Sequence, residues 1–188
     1  MMARYSAAMA RDQTLPDVWL ISDSRNDAVL ERVLLRMPRG SGFVYRHYHL
    51  GDPERWERFC QLRRVAKARG HMVILADSAL TATEWGADGV YGAPLALWPT
   101  RRGLIQIAAV HSMREIAQAR RKGADAVMLS PVFPTRSHPG SEVLGSVRFQ
   151  MLARLCSAPV IALGGMDLAK ARAVGWNRWA AIDGLSLD

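Results

Sequence analysis

The sequence contains little cysteine and no long apolar segment. Cys60 and Cys156 are the only cysteines in 188 residues, which provides neither a disulfide framework nor the paired cysteines of a zinc site. No window reaches the ~18 consecutive apolar residues that a membrane span needs. The first 12 residues include arginines but no continuous apolar stretch, so a secretory signal is not indicated. These absences predict a cytoplasmic protein with reduced thiols and no membrane partner.

Signatures of nucleotide and nucleic-acid binding are missing as well. Neither a GxGxxG nor a Walker A sequence follows any strand candidate. The formal charge is +8, but the basic residues are scattered over helical segments. Aromatic residues are 7% of the chain and do not interleave with the basic ones as base-stacking side chains do. The charge is compatible with an anionic small-molecule substrate, and we predict no nucleic-acid partner.

Short β-branched or apolar runs alternate with longer helical patterns along the whole chain, which is typical of a parallel sheet with crossover helices. The predicted strands are residues 18–22, 43–48, 72–76, 89–91, 104–109, 126–130, 160–163 and 179–182. Eight strands in this alternation favour a closed (β/α)8 TIM barrel over an open doubly wound sheet. We expect residues 1–17 to form an N-terminal tail and residues 18–188 to form one barrel domain.

Capping residues delimit the helices between these strands. The predicted helices are residues 27–37, 52–70, 79–85, 112–122, 147–156 and 167–174. Asp52 and Asp167 are the expected N-caps of their helices, and Ser112 with Glu115 forms a capping box. No helix is predicted after the eighth strand, so the final helix of the barrel is lacking. The N-terminal segment, a partner subunit or nothing would cover that position, and a homodimer is one expectation.

In a TIM barrel the working residues lie at the carboxyl ends of the strands and in the loops that follow. The candidates at those places are Asp23, Arg46, Tyr48, Asp77, His111, residues 130–138, Gly164, Gly165 and Asp183. His47 and His49 could bind a metal from one strand face. However, if Arg46 faces the barrel interior, both histidines face outward, and we predict a structural or surface role for them.

The segment of residues 130–140 is the most unusual in the chain. Its three prolines and one glycine disfavour a helix and indicate a defined loop after the sixth strand. Thr135, Arg136, Ser137 and His138 together offer hydroxyl, guanidinium and imidazole donors, which suits a phosphate, although a purely structural loop has a similar composition. The Gly164–Gly165 pair leads from the seventh strand towards a helix start, where backbone amides can bind an anion.

Several of these segments resemble the thiamine phosphate synthase/TenI family. The motifs are residues 124–127 (ADAV), 130–135 (SPVFPT) and 159–166 (PVIALGGM). Upstream, residues 19–23 (WLISD), 75–77 (LAD), 86–90 (GADGV) and 110–112 (VHS) follow in the family's order. The resemblance spans about residues 18 to 186. It implies a TIM barrel that binds a small thiazole phosphate through Thr135, Ser137 and Gly165, with Ser130, His138 and Gly164 beside them.

The resemblance implies two candidate activities. A synthase joins a pyrimidine diphosphate to the thiazole phosphate, releases pyrophosphate and uses Mg²⁺. A TenI-type tautomerase moves a proton to aromatise a thiazole carboxylate phosphate and uses no metal. A histidine in the position of His111 is the acid/base of the tautomerase branch, and an imidazole is suited to proton transfer near neutral pH.

The chain departs from the synthase pattern at the diphosphate end. Only Arg46 remains of the family's Gln-x-Arg-x-Lys strand, and Asp77 is the one acidic residue kept as a metal ligand, since residues 92–95 hold no aspartate. His138 replaces a lysine, and Asp183 replaces a serine close to the expected phosphate. One carboxylate and one arginine provide too few oxygen ligands and too little positive charge to bind a magnesium diphosphate well.

These departures favour the tautomerase, with His111 as its catalytic residue. The alternative is a divergent synthase in which Arg46 and Asp77 are catalytic. A third hypothesis is a relative that binds the phosphorylated ligand without turnover.

Overall fold

The computed structural model describes residues 15–99, 101–137, 140 and 142–185. Eight parallel strands form a closed barrel in which each strand pairs with the next and β8 pairs with β1. The strands are β1 Val18–Ile21, β2 Gly42–Tyr45, β3 Met72–Leu75, β4 Gly89–Gly92, β5 Ile105–Val110, β6 Ala126–Leu129, β7 Val160–Ala162 and β8 Trp179–Ala181. The predicted TIM barrel and the order of its eight strands are confirmed.

Six α-helices accompany these strands in the described residues. They are α1 Leu30–Arg36, α2 Asp52–Ala68, α3 Ala79–Trp85, α4 Met113–Lys122, α5 Gly145–Ala153 and α6 Leu168–Val174, and a 3-10 turn at Asp27–Val29 precedes α1. Residues 182–185, the described part after β8, contain no helix, as predicted. No described helix is long and apolar enough to cross a membrane.

Two of the three predicted caps hold. The Ser112 hydroxyl accepts the Glu115 amide at 3.3 Å, and the Asp167 carboxylate accepts the Lys170 amide at 2.8 Å. The Glu115 carboxylate accepts the backbone amide of His111 at 2.7 Å, so this capping motif also holds a rim residue in place. The prediction for Asp52 is wrong. The N-cap is Gly51, and Asp52 is the first residue of α2, where its charge still favours the helix N-terminus.

The apolar core has two parts, because successive strand residues point to opposite sides. The inner part fills the barrel with residues that include Trp19, Ile74 and Met128, and Leu15 packs against them from the chain before β1. Trp19 is fully buried and lies against Gly42, where a Cβ atom would come within 2.1 Å of the indole ring. The outer part lies between strands and helices. This packing closes the barrel interior and leaves the carboxyl ends of the strands to form a cavity.

Candidate active site

A cavity of about 1240 Å³ opens at the carboxyl ends of the strands. The predicted site residues that line it include Arg46, Tyr48, His111, Ser130, Thr135, Arg136, Ser137, Gly164 and Gly165. Asp183 also lines it, whereas Asp77 is not among the lining residues. His138 lies outside the described residues. The volume is sufficient for a small phosphorylated ligand.

The Gly164–Gly165 turn packs directly against the loop that follows β6. The amides of Val132 and Phe133 donate to the carbonyls of Leu163 and Gly164 at 2.9 and 3.0 Å. Gly165 has a φ of +61°, and a Cβ atom there would lie 2.3 Å from the Pro134 carbonyl oxygen. Glycine is therefore required both by the backbone conformation and by the close approach of the two loops.

At this end of the cavity the glycine turn precedes the start of a helix. Helix α6 begins at Leu168, and the side chain of Asp167 already accepts an amide of its first turn. The Lys170 ammonium donates to the Gly165 carbonyl at 2.7 Å and pairs with Asp167 at 3.0 Å. In the described part of the chain the amide of Gly165 donates to no acceptor. An anion in this corner would therefore be bound by turn amides and nearby side chains.

His111 presents one ring nitrogen to the cavity. Its Nδ1 lies 3.0 Å from the Ser130 carbonyl oxygen and 3.1 Å from the Ser130 hydroxyl. Because a carbonyl oxygen only accepts hydrogen bonds, the carbonyl contact is satisfied in the tautomer that carries the proton on Nδ1. In that tautomer Nε2 is the unprotonated nitrogen, and within the described residues it has no hydrogen-bond partner. The ring is then oriented to take a proton from a bound molecule.

A chain of buried hydrogen bonds fixes the backbone beneath Arg46. The Ser22 hydroxyl accepts the Arg46 amide at 2.8 Å and contacts His47 Nδ1 at 2.8 Å, while His47 Nε2 lies 2.9 Å from the Asp27 carboxylate. His47 has a φ of 39°, which a non-glycine residue rarely adopts, so these bonds hold it in that conformation. The Arg46 guanidinium itself lines the cavity 5.7 Å from the Tyr48 ring centroid.

The predicted outward direction of His47 and His49 agrees with the structure. His47 stacks on Tyr45, which belongs to the core between strands and helices, and it is only 1% exposed, whereas His49 is exposed. Asp27, His47 and His49 have potential ligand atoms within 4.8 Å of one another. However, the Asp27 oxygen that contacts His47 also accepts from Arg58 Nε at 2.8 Å. This guanidinium occupies the carboxylate and repels a cation, so the cluster is structural.

Asp77 is bound to an arginine of α2. Its carboxylate accepts from Arg55 Nη1 at 2.6 Å and from the Ser78 amide at 2.6 Å. Partial burial alone would raise the pKa of Asp77, but the hydrogen bonds from Arg55, the Ser78 amide and Thr81, together with the charge of Arg55, lower it. Arg55 is 7% exposed and also donates to the Arg46 and Ala76 carbonyls. Asp77 therefore supports the backbone at the ends of β2 and β3.

With this geometry established, comparison with known proteins identifies the family. The family model described as thiamine monophosphate synthase (TMP-TENI) matches residues 18–185. The chain belongs to this family. The resemblance inferred from the loop after β6 and the glycine turn is thereby confirmed.

Individual members of the thiamine monophosphate synthase family match over different lengths. A putative thiamine-phosphate synthase 2 of Aquifex aeolicus is 26% identical over 92% of this chain and 97% of its own. The thiamine-phosphate synthase of Chloroflexus aurantiacus is 30% identical over 68% of this chain and 62% of its own. Among solved structures, a thiamine phosphate pyrophosphorylase from Pyrococcus furiosus superposes with a TM-score of 0.74 at 25% identity, covering 93% of this chain and 88% of that one.

The residues of this family member do not fit a magnesium diphosphate near Arg46. Mg²⁺ requires several oxygen ligands in octahedral geometry. Among the described residues, the cavity is lined by three carboxylates, those of Glu142, Asp167 and Asp183. They stand on the loops after β6, β7 and β8, and each is paired with a cation. The charge of Arg46 acts on Asp23, but Asp23 is paired with Arg25 and Asp77 with Arg55, so both carboxylates are already engaged by arginines.

Six polar side chains of the cavity lining were not predicted as site residues, namely Arg25, Tyr91, Glu142, Arg148, Asp167 and Lys170. Tyr91 ends a predicted strand and could have been chosen on that ground. Burial raises its pKa to about 12, so its hydroxyl stays protonated as a donor. Arg25 stands two residues beyond the candidate Asp23, and no local pattern distinguishes it. Its contacts with Ser137 and Asp183 are made only by the folded barrel.

Proposed function

We propose that this protein binds a thiazole phosphate in thiamine biosynthesis and acts as a thiazole tautomerase with His111 as its acid/base. The observation that carries the proposal is the fixed orientation of the His111 ring. Nδ1 lies 3.0 Å from the Ser130 carbonyl oxygen, and the tautomer that donates to this oxygen leaves Nε2 as the acceptor for a ligand in the cavity that His111 lines. Membership of the thiamine monophosphate synthase family supports the ligand class and the pathway.

In this mechanism the phosphate anchors the substrate at one end of the cavity. The amide of Gly165 and the hydroxyls of Thr135 and Ser137 are its donors, and the positive side chains of the cavity favour an anion. The thiazole ring then extends towards His111. Holding the ring at a fixed distance from the imidazole makes proton transfer effectively intramolecular.

His111 then removes a proton from one ring position and returns it to another. Nε2 accepts the proton, and the resulting imidazolium is stabilised because its Nδ1–H already donates to the Ser130 carbonyl. Return of the proton at the second position gives the aromatic thiazole carboxylate phosphate and regenerates the neutral ring. No group is consumed or released, so the reaction requires no second substrate.

The test is turnover of the non-aromatic thiazole carboxylate phosphate, followed by the absorbance change on aromatisation, with a chelator present. We expect His111→Ala to lower kcat by roughly 100- to 10,000-fold while ligand affinity changes little, which is the usual contribution of a general acid/base. His49→Ala is the matched control, because His49 is exposed and outside the cavity lining. Equal kcat in wild type and His111→Ala would refute the proposal.

A divergent thiamine phosphate synthase is the second candidate. The names of the relatives favour it, and the Arg46 guanidinium is available to a diphosphate on the cavity wall. This candidate requires Mg²⁺-dependent release of pyrophosphate from the pyrimidine diphosphate and thiazole phosphate, with loss of that release in Arg46→Gln. Binding of thiazole phosphate without turnover in either assay would identify a ligand-binding relative.

A further inference from the structure

We propose that Arg25 is the residue that selects a phosphorylated ligand over its neutral alcohol, and that Asp183 moderates phosphate affinity by competing for the same guanidinium. The proposal rests on the function proposed above and names the determinant of its phosphate subsite. Asp183 carries a negative charge in the corner where the phosphate is expected, so its pairing decides whether an anion can bind there at all.

Arg25 connects three loops at the carboxyl end of the barrel. Its Nε donates to Asp23 at 2.9 Å, its Nη1 to Asp183 at 3.2 Å and its Nη2 to the Ser137 hydroxyl at 2.8 Å. These partners follow β1, β8 and β6 respectively. Each nitrogen of the guanidinium therefore has one partner, and Ser137 is one of the hydroxyls expected to bind the phosphate.

The backbone around Arg25 is held by a buried amide. Asn26 is 3% exposed, and its Nδ2 donates to the carbonyls of Ile21 and Ile182 at 3.0 and 2.9 Å. Its Oδ1 accepts the amide of Asp23 at 2.9 Å. Two of these bonds join the loop after β1 to the ends of β1 and β8, and the third is within that loop, so Arg25 and Asp183 are held near each other by the fold itself.

The two carboxylates on Arg25 differ in how easily they can be exchanged. Asp23 also accepts the backbone amide of Arg25, and its side chain is 20% exposed. Burial would raise the pKa of Asp23, but the hydrogen bonds and charge of Arg25 lower it, so this carboxylate stays ionised and anchors the arginine. Asp183 makes the longest of the three contacts, and its side chain is 42% exposed. Asp183 can turn to solvent while Arg25 remains in place.

A phosphate can therefore take the position of the Asp183 carboxylate on Arg25. A dianionic phosphate offers a guanidinium stronger charge-assisted hydrogen bonds than a single carboxylate does. The neutral alcohol offers no comparable exchange, since it would leave both Arg25 and Asp183 less well paired. Arg25 thus favours phosphorylated ligands through an attractive interaction, and Asp183 lowers their affinity because the phosphate must displace it.

The experiment is calorimetric titration with thiazole phosphate, the corresponding thiazole alcohol and inorganic phosphate. We expect Arg25→Gln to weaken binding of both phosphate-containing probes roughly 10- to 100-fold and to change alcohol binding less than threefold. Asp183→Asn removes the competitor, so binding of both phosphate-containing probes should strengthen several-fold. Arg32→Gln is the matched control, because Arg32 is an exposed arginine on α1 outside the cavity lining.

The outcomes separate this inference from the proposed function. If wild type binds inorganic phosphate through Arg25 but does not prefer thiazole phosphate, the arginine subsite stands and the thiazole function fails. If thiazole phosphate binds and both Arg25→Gln and Arg32→Gln bind it as wild type does, the inference about Arg25 is overturned alone. If wild type binds none of the probes, both are overturned. Thermal unfolding of each variant confirms that affinity changes are not caused by misfolding.

Discussion

Replacing Gly165 by alanine tests how much the close packing of the glycine turn against the loop after β6 contributes to the stability of the fold. The substitution adds one methyl group to a residue with a φ of +61°. That methyl carbon would lie 2.3 Å from the Pro134 carbonyl oxygen, 3.0 Å from the Phe133 Cβ and 3.1 Å from the Phe133 oxygen. Two of these three atoms are backbone, so the loop itself must move.

The expected cost has two contributions. An L-residue in the left-handed region costs about 1–2 kcal/mol relative to glycine. Overpacking against atoms that cannot rotate away adds about 1–3 kcal/mol. Gly123→Ala isolates the first contribution, because Gly123 has a φ of +71° but nothing within 4 Å of the added Cβ atom. The difference between the two variants should therefore be about 2 kcal/mol, which corresponds to about 4–8 °C in Tm for a chain of this size.

Thermal and urea unfolding of wild type, Gly165→Ala and Gly123→Ala measure this difference. Titration with inorganic phosphate adds a second measurement. Displacement of the turn should weaken phosphate binding in Gly165→Ala and leave it unchanged in Gly123→Ala, since Gly123 ends α4 away from the cavity lining. Equal loss of stability in the two alanine variants would show that the loops separate at little cost and would refute the argument from close packing.

Three further predictions concern the barrel that supports the site. Gly42→Ala places a Cβ atom 2.1 Å from the Trp19 ring inside the barrel and should lower the free energy of unfolding by about 1–3 kcal/mol in urea titrations. Asp77→Ala leaves Arg55 buried without its carboxylate and should cost about 2–4 kcal/mol, with a smaller loss in Asp77→Asn; unchanged stability would show that Arg55 finds another partner. Burial lowers the pKa of His71, so the unfolded chain binds this proton first as the pH falls below about 6.5, and stability decreases there. His71→Gln should reduce the slope of stability against pH between about 7 and 5, which urea unfolding at several pH values measures.

The sequence specified the barrel through patterns that act over short distances. Strand and helix signals alternate, and local caps such as Ser112 and Asp167 begin helices where their side chains meet first-turn amides. The glycine turn was recognised because Gly164 and Gly165 follow a strand directly. Asp52 was misplaced by one residue because Gly51 has the extended conformation of the cap.

Contacts between distant segments account for what the sequence did not reveal. Asp77 was correctly placed at the end of β3, but its pairing with Arg55 depends on how α2 packs on the barrel. Arg25 was missed because its partners Ser137 and Asp183 are 112 and 158 residues away along the chain. A long side chain reaches partners that no local pattern specifies, so only the folded structure identifies them.

The pairing of β1 with β8 means that the end of the cavity near Arg25 is assembled from both ends of the chain's barrel. Asn26 and Arg25 join the loops after these two strands, which are 156 and 158 residues apart at their points of contact. Contacts of such large sequence separation are costly in chain entropy, so this seam depends on the rest of the barrel having formed. A ligand held by Arg25 and Ser137 stabilises the closed seam by mass action. Amide hydrogen exchange at the ends of β1 and β8 should therefore slow as ligand occupancy rises. The exchange rate at this seam would then measure ligand binding.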